Sequence, residues 1–453
     1  DYYEAVKSGR SVGVPGLARL LELAHEKHGK LPWADLFQPA VKLAEDGFPV
    51  GERLHRLLRA SRSSAFSPDA REYFFDADGK PWPVGHRLKN PALAQTLRLL
   101  ADKGADAFYA DPLASEVVAA VNAAPDSPGD FTLADIFAFR ASERPPVCAP
   151  YRAYAVCGMG PPSSGALTIA IALRLLDPFD LGKKALDPDA VHLIAEAQKL
   201  AYADRRRYMA DDRFVPLPSG LLDDTYLTSR RQLIDLRQTM DRAEPGKPPG
   251  TRHGAFGVDG TIESAGTTHL SIIDTDGNAA SMTTTIESAF GSGLMAGGFL
   301  LNNELTDFAF NPSDRDGKPV ANRVQGGKRP RSSMSPTIVF DGEGNVRLVL
   351  GSPGGSRIML YVLKALVAHL DWGLDAQEAV SLPNFGSRNG PFEVEEGPWS
   401  ASITKAMRAR GHRIRVSPMT SGVHMIAVRN GKLEGGADPR REGLVLGDQT
   451  GLR

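Results

Sequence analysis

Gly266, Thr267 and Thr268 open a run, Thr267-Thr268-His269-Leu270-Ser271-Ile272-Ile273, that reads as a β-strand. Asp274-Thr275-Asp276-Gly277-Asn278 then supplies a turn before a second such run, Ala279-Ala280-Ser281-Met282-Thr283-Thr284-Thr285-Ile286. β-Branched side chains suit a pleated surface and Asp, Gly and Asn suit turns, so the two runs predict a hairpin. The chemistry this spacing allows is self-cleavage. Gly266 leaves its peptide bond sterically open, and a rigid strand would hold a hydroxyl beside it. Threonine pairs are also ordinary strand composition, so the hairpin alone leaves both readings open.

Other candidates lie downstream. Glu287, Glu304 and Asp307 fall in stretches of small and apolar residues, where an unpaired carboxylate is costly. They therefore imply either a basic partner or a cationic ligand. Ser332 and Ser333 precede a strand at 337–340 and read as turn or binding residues. Gly351-Ser352-Pro353-Gly354-Gly355-Ser356 joins a strand at 346–350 to an apolar helix at 358–370. That turn lacks both phosphate-loop spacings, and bare N–H groups at a helix start suit an oxyanion hole equally well. Ser163 and Ser164, ahead of an apolar run at 166–176, predict a helix cap. The run Asp204-Arg205-Arg206-Arg207 predicts a solvated or ion-paired face. His25 and His28 share a helix face, but no third ligand is indicated, and no metal or cofactor is expected.

The elements that must position these groups divide at about residue 145. Residues 16–218 are mainly helical, with apolar faces at Leu17, Leu20, Leu21 and Leu23, at 33–44, 52–61, 91–101 and 114–123. Asp187-Pro188 opens a further helix as cap and first-turn proline. Residues 241–264, rich in Gly and Pro, predict a flexible arm leading into the hairpin. Cys148 and Cys157 flank a turn between two short strands and are read as either a cross-strand disulfide or two buried thiols. The 453 residues suggest two or three domains or one large layered unit. With 53 basic and 54 acidic side chains there is no charge footprint for nucleic acid or an anionic membrane, and no apolar run is long enough to span a bilayer. The opening Asp1-Tyr2-Tyr3-Glu4, without an initiator Met, suggests a partial chain.

Taken together, Thr267-Thr268-His269, Leu300-Leu301-Asn302-Asn303-Glu304 through Asp307, the stretch from Lys328 to Thr337 and the turn from Gly351 to Arg357 resemble, in order, the motifs of the γ-glutamyltranspeptidases. Pro161-Pro162-Ser163-Ser164-Gly165 and Gly436-Ala437-Asp438-Pro439-Arg440-Arg441 add to the resemblance. That family belongs to the N-terminal-nucleophile hydrolases. The resemblance implies an α+β fold, a four-layer αββα sandwich, with which the alternating helix and strand candidates agree. It implies scission between Gly266 and Thr267, leaving a large-subunit portion, 1–266, and a small catalytic subunit, 267–453, in one domain. Thr267 would be the nucleophile and its freed α-amino group the base, since an α-amine with a pKa of about 8 accepts a proton near neutrality. Thr285 would hydrogen-bond the hydroxyl, and Gly354 and Gly355 would supply oxyanion N–H groups. Ser332 and Ser333 would hold a substrate α-carboxylate, while Glu287, Glu304 and Asp307 would grip its α-ammonium.

The implied activity is hydrolysis or transfer of γ-glutamyl amides such as glutathione, to water or to an amino acid or peptide, in a periplasmic or secreted setting. The chain departs from the family at Glu287, where many members have Asn, so the pocket would carry an extra acid. The family's N-terminal portion, with a carboxylate-pairing Arg, has no counterpart here, and the loop at 311–325 is short, which would favour hydrolysis. An acylase of the cephalosporin or glutaryl type and a catalytically inactive relative are the competing expectations.

Overall fold

The computed structural model describes residues 2–125, 127–251, 256–261 and 266–447. It has two compact units, Asp1–Glu143 with Thr285–Thr306, and Arg144–Thr284 with Asp307–Arg453.

The first unit is built mainly of helices, among them Leu17–His28, Gln38–Asp46, Glu52–Ala60, Pro91–Lys103 and Leu113–Asn122. Its apolar interior has more than one centre. Val12, Leu113, Val117, Val121, Ile136 and Leu301 form one cluster, and Phe66, Phe74, Phe75 and Phe290 pack ring against ring in another. Two expectations are corrected. The face of Leu17–His28 is not buried, since Leu17, Leu20 and Leu21 are exposed. The segment expected as one helix at 33–44 is a 3-10 turn, Trp33–Phe37, followed by Gln38–Asp46, because Pro39 favours a new first turn.

The second unit carries the sheets. Its main strands are β1 (Val147–Tyr151), β2 (Tyr154–Gly158), β3 (Thr268–Ile273), β4 (Ala279–Thr284), β5 (Thr337–Phe340), β6 (Val346–Gly351), β7 (His424–Arg429) and β8 (Lys432–Ala437). Six of them form an antiparallel sheet in the order β8-β7-β6-β5-β2-β1. Helices α1 (Gly165–Leu176), α2 (Pro188–Tyr208) and α3 (Ile358–Leu370) share one apolar core with this sheet and are buried along most of their length. α1 and α3 are apolar around nearly their whole circumference, as burial on all sides requires, whereas α2 also buries Glu196, Lys199, Asp204 and Arg205.

Strand alternation sorts the sheet's side chains into two faces. Leu348 and Leu350 of β6 and Met425 and Ala427 of β7 join the helical core. Gly351 and His424 face the β3–β4 hairpin, which pairs in the register Thr268↔Thr284 to Ile273↔Ala279. Serines tie the hairpin to the sheet: Ser281 Oγ donates to Leu350 O at 3.0 Å and accepts from Thr337 N at 3.0 Å. Gly351 is required there, since a Cβ would fall 2.3 Å from the buried His269 ring. Helices, sheet and hairpin are thus stacked in sequence within this unit.

Cys148 and Cys157 sit opposite one another in the β1–β2 register and are joined by a disulfide. Among the described residues no helix is long and apolar enough to cross a membrane.

Leu350, fully buried where hairpin, sheet and helices meet, tests this stacking. Leu350→Ala should lower unfolding stability by about 3 kcal/mol, read from the denaturant midpoint. An unchanged midpoint would contradict the layer arrangement.

Candidate active site

Thr267 stands immediately before β3 and is partly buried. Its hydroxyl donates to the Gly266 carbonyl oxygen, so Oγ1 lies against the peptide unit that joins the two residues. Its own carbonyl accepts from Arg441 Nη1 at 3.2 Å. The next residue but one, His269, is buried. Its carbonyl accepts from His424 Nδ1 at 2.7 Å, and burial together with His424 holds its imidazole down to about 3, hence neutral. His269 therefore packs and orients the strand and carries no charge at neutral pH.

Gly354 and Gly355 open the 3-10 turn Gly355–Arg357 that leads into α3. Both have positive φ, 141° and 57°. At Gly354 a Cβ would also fall 2.6 Å from the Tyr361 ring, so glycine is needed for conformation and for space. The first N–H groups of a helix have no intrahelical acceptor, so this turn presents bare backbone donors.

The serine pair is held from below. Ser164 donates through both its N–H and its hydroxyl to Ser332 O, at 2.8 and 2.7 Å. Arg205 reaches Ser164 Oγ with Nε at 2.8 Å and Ser333 Oγ with Nη2 at 2.6 Å. A hydroxyl that accepts from a guanidinium directs its own proton elsewhere and is a strong donor toward an anion. One sequence expectation changes here and another is decided between its alternatives. Ser164 occupies the cap position of α1, yet its side chain makes no capping bond and serves Ser332 instead. Of the two readings of the run at 204–207, Asp204 follows the ion-paired one: it is fully buried, pairs with Arg230 at 3.3 Å and accepts from Tyr226 Oη and Gly246 N.

Asp307 lies in the same unit, its carbonyl accepting from Asn322 Nδ2 at 2.7 Å. Thr285, Glu287 and Glu304 belong to the helical unit. Thr285 Oγ1 accepts from Glu287 N at 2.8 Å. Glu287 has φ 71°, a conformation uncommon for a side-chain-bearing residue. Its carboxylate accepts from Ser288 Oγ at 2.7 Å and from Asn303 Nδ2. Glu304 is different: Oε1 is shut off from solvent with no hydrogen-bond partner among the described residues. Burial, then the neighbouring Glu287 charge, push its carboxyl up to about 8. A cationic group bound there would remove that cost.

The arm predicted at 241–264 is anchored where it is described. Gly246 N donates to Asp204 Oδ1, Gly257 N to Pro319 O, and buried Asp259 pairs with Arg331 at 2.9 Å. Residues 252–255 and 262–265 lie outside the described residues. Arg205 and Arg441 are functional candidates the sequence reading missed. Arg441 lies in a segment that carries part of the resemblance but was given no role there, and only the spatial partners reveal what either one touches.

His192, Glu196 and His412 come within reach of a common metal ion. Their atoms are otherwise engaged: His192 Nδ1 and His412 Nε2 hydrogen-bond at 2.8 Å, and Glu196 accepts from Lys199, Thr239 and Met240 N. The set is arranged as a buried hydrogen-bond network.

A hairpin packed on an antiparallel sheet with buried helices on its far face is the layered α+β arrangement, the αββα sandwich, of the N-terminal-nucleophile hydrolases. A comparison with known families matches the gamma-glutamyltranspeptidase model over residues 2–447. The glutathione hydrolase proenzyme of Escherichia coli strain K12 is 36% identical, the alignment covering 97% of this chain and 76% of that one. The glutathione hydrolase proenzyme of Bacillus subtilis strain 168 is 34% identical, covering 98% and 76%. Among solved structures, the cephalosporin acylase from Bacillus halodurans matches with a TM-score of 0.84 at 26% identity, covering 96% of this chain and 78% of that one. The chain belongs to the γ-glutamyltranspeptidase family and is an enzyme of that family's γ-glutamyl hydrolase and transferase class.

Glu304 yields a pH prediction. Its folded-state pKa is raised, so the folded chain keeps a proton that the unfolded chain releases, and stability falls as pH rises from the ordinary carboxylate range to about 8. Glu304→Gln should therefore lose about 2 kcal/mol less than the unaltered chain between about pH 6 and about pH 8.5. Parallel stability profiles for the two would contradict the buried acid.

Proposed function

We propose that the chain cuts itself between Gly266 and Thr267 and then works as a γ-glutamyl hydrolase and transferase with Thr267 as nucleophile. The observation that carries this reading is the Thr267 hydroxyl set against the Gly266 carbonyl at the head of β3. Attack by Oγ on that carbonyl carbon moves the acyl group from nitrogen to oxygen. Water then cleaves the ester, leaving a Gly266 carboxylate and a Thr267 α-amine. Segments 1–266 and 267–453 become the two subunits.

In turnover the α-amine takes the Oγ proton while Oγ attacks the γ-glutamyl amide carbon. Gly354 and Gly355 N–H groups receive the oxyanion, and Thr285 is the hydrogen-bond partner of the hydroxyl. The amide nitrogen departs with the proton, leaving an acyl ester on Thr267. Water or the amine of an amino acid or peptide attacks that ester and restores the enzyme. Ser332 and Ser333 hold the α-carboxylate, with Arg205 orienting them. Glu287, Glu304 and Asp307 receive the α-ammonium. Glutathione is the donor suggested by the named relatives. The disulfide fits an oxidising compartment, periplasmic or extracellular.

The match to a cephalosporin acylase favours a second reading, in which the same nucleophile opens a different amide. The acid pair of Glu287 and Glu304 supports the γ-glutamyl reading, since a glutaryl group offers no ammonium to neutralise it. A γ-glutamyl anilide should accordingly be turned over at least about tenfold faster than its glutaryl counterpart, a difference of about 1.4 kcal/mol. Faster turnover of the glutaryl compound would establish the acylase.

Self-cleavage is tested on a denaturing gel. The unaltered chain should resolve into two bands, the smaller beginning at Thr267 by N-terminal sequencing, while Thr267→Ala should remain one band and inactive. Processing of the alanine variant at the same bond would refute the mechanism.

A further inference from the structure

Arg206 stands in the last turn of α2, and its backbone carbonyl accepts from Asp259 N at 3.0 Å. Its guanidinium is half-buried and, among the described residues, has neither a hydrogen bond nor an ion pair. Arg205, Arg242, Arg331 and Arg388 lie close enough that burial and their combined charge draw it down to about 10. Among the described residues, two nearby carboxylates are already engaged. Asp259 accepts from Arg331 at 2.9 Å, and Glu393 accepts from Arg357 and Arg388 at 2.5 and 2.7 Å. Like charges concentrated around a half-buried cation destabilise a fold unless an anion completes the group.

The cluster adjoins the reaction site. Arg205 donates to Ser333 Oγ, and Arg388 Nη1 donates at 2.8 Å to Ser356 Oγ, the residue after Gly355. Tyr202 Oη, on α2, donates to Ser356 O and links the two ends. Exposed Arg242 marks the solvent side. A planar guanidinium with unused donors matches a carboxylate in a two-pronged pair.

We propose that Arg206, flanked by Arg388 and Arg242, is the receptor of an anion pocket beside the oxyanion turn. Its ligand is a carboxylate on the amine part of the substrate or of the acceptor peptide. The identity of the ligand rests on the γ-glutamyl reading, whereas the pocket does not.

Two measurements on the processed enzyme separate these claims. Thermal unfolding is followed with added sodium sulfate against sodium chloride of equal ionic strength. Sulfate should raise the midpoint of the unaltered enzyme by more than that of Arg206→Gln, which keeps only the general salting-out stabilisation. Without sulfate the variant should unfold no earlier, because a like-charge repulsion has been removed. An equal sulfate shift in Arg206→Gln, or an earlier unfolding of that variant without sulfate, would overturn the pocket.

Kinetics then assign the ligand. In hydrolysis, the ratio of KM for glutathione to KM for a γ-glutamyl anilide should rise about tenfold in Arg206→Gln and be partly restored in Arg206→Lys. With the anilide as donor, preference for glycylglycine over its C-terminal amide should fall if the acceptor fills the pocket. Unchanged ratios in both arms, with the sulfate shift reduced, would overturn the carboxylate assignment. If neither γ-glutamyl donor were turned over, the γ-glutamyl reading would fail, and the carboxylate assignment with it, while the sulfate result would still decide the pocket.

Discussion

A threonine hydroxyl held against the carbonyl of the preceding glycine is the contact on which this structure depends. Such a hydroxyl is a weak nucleophile, and its reactivity has to come from position. Position here is supplied by backbone. The hairpin's register fixes Thr268 opposite Thr284, Ser281 ties the hairpin to β5 and β6, His424 holds the carbonyl of His269, and Arg441 holds that of Thr267 itself. Each is a short polar bond in a region whose far side is a dense apolar core of three helices.

Each unit also carries charge that the fold alone does not satisfy. The helical unit buries Glu304 near Glu287 with one oxygen unbonded. The sheet unit collects arginines around Arg206 and lends one of them, Arg205, to the serine pair. Each is a local excess of like charge that a group of opposite charge would offset.

Much of this was legible in the order of residues. The hairpin at Thr267, the glycine turn before α3, the Asp187 cap and the odd carboxylates Glu287 and Glu304 all carry local signals: β-branched runs, missing Cβ atoms, a cap followed by proline, acids among apolar neighbours. What stayed hidden depends on contacts far apart in sequence. Arg205 looks like one member of a basic run until α2 turns it inward onto Ser333, and Ser164 looks like a cap until Ser332 arrives from the other half of the chain. The glycine- and proline-rich stretch before Thr267 suggested a free arm, yet Asp259 is pinned by Arg331, a pairing that no local composition records. Arg441 illustrates the same limit, since nothing around it marks a partner at Thr267.

The central claim is that one side chain carries the acyl group during turnover. Processed enzyme mixed with a γ-glutamyl donor, quenched in acid and digested, should yield the peptide that begins at Thr267 heavier by one γ-glutamyl group, with the added mass on that first residue. An adduct on any other residue, or none while product is still being released, would contradict it.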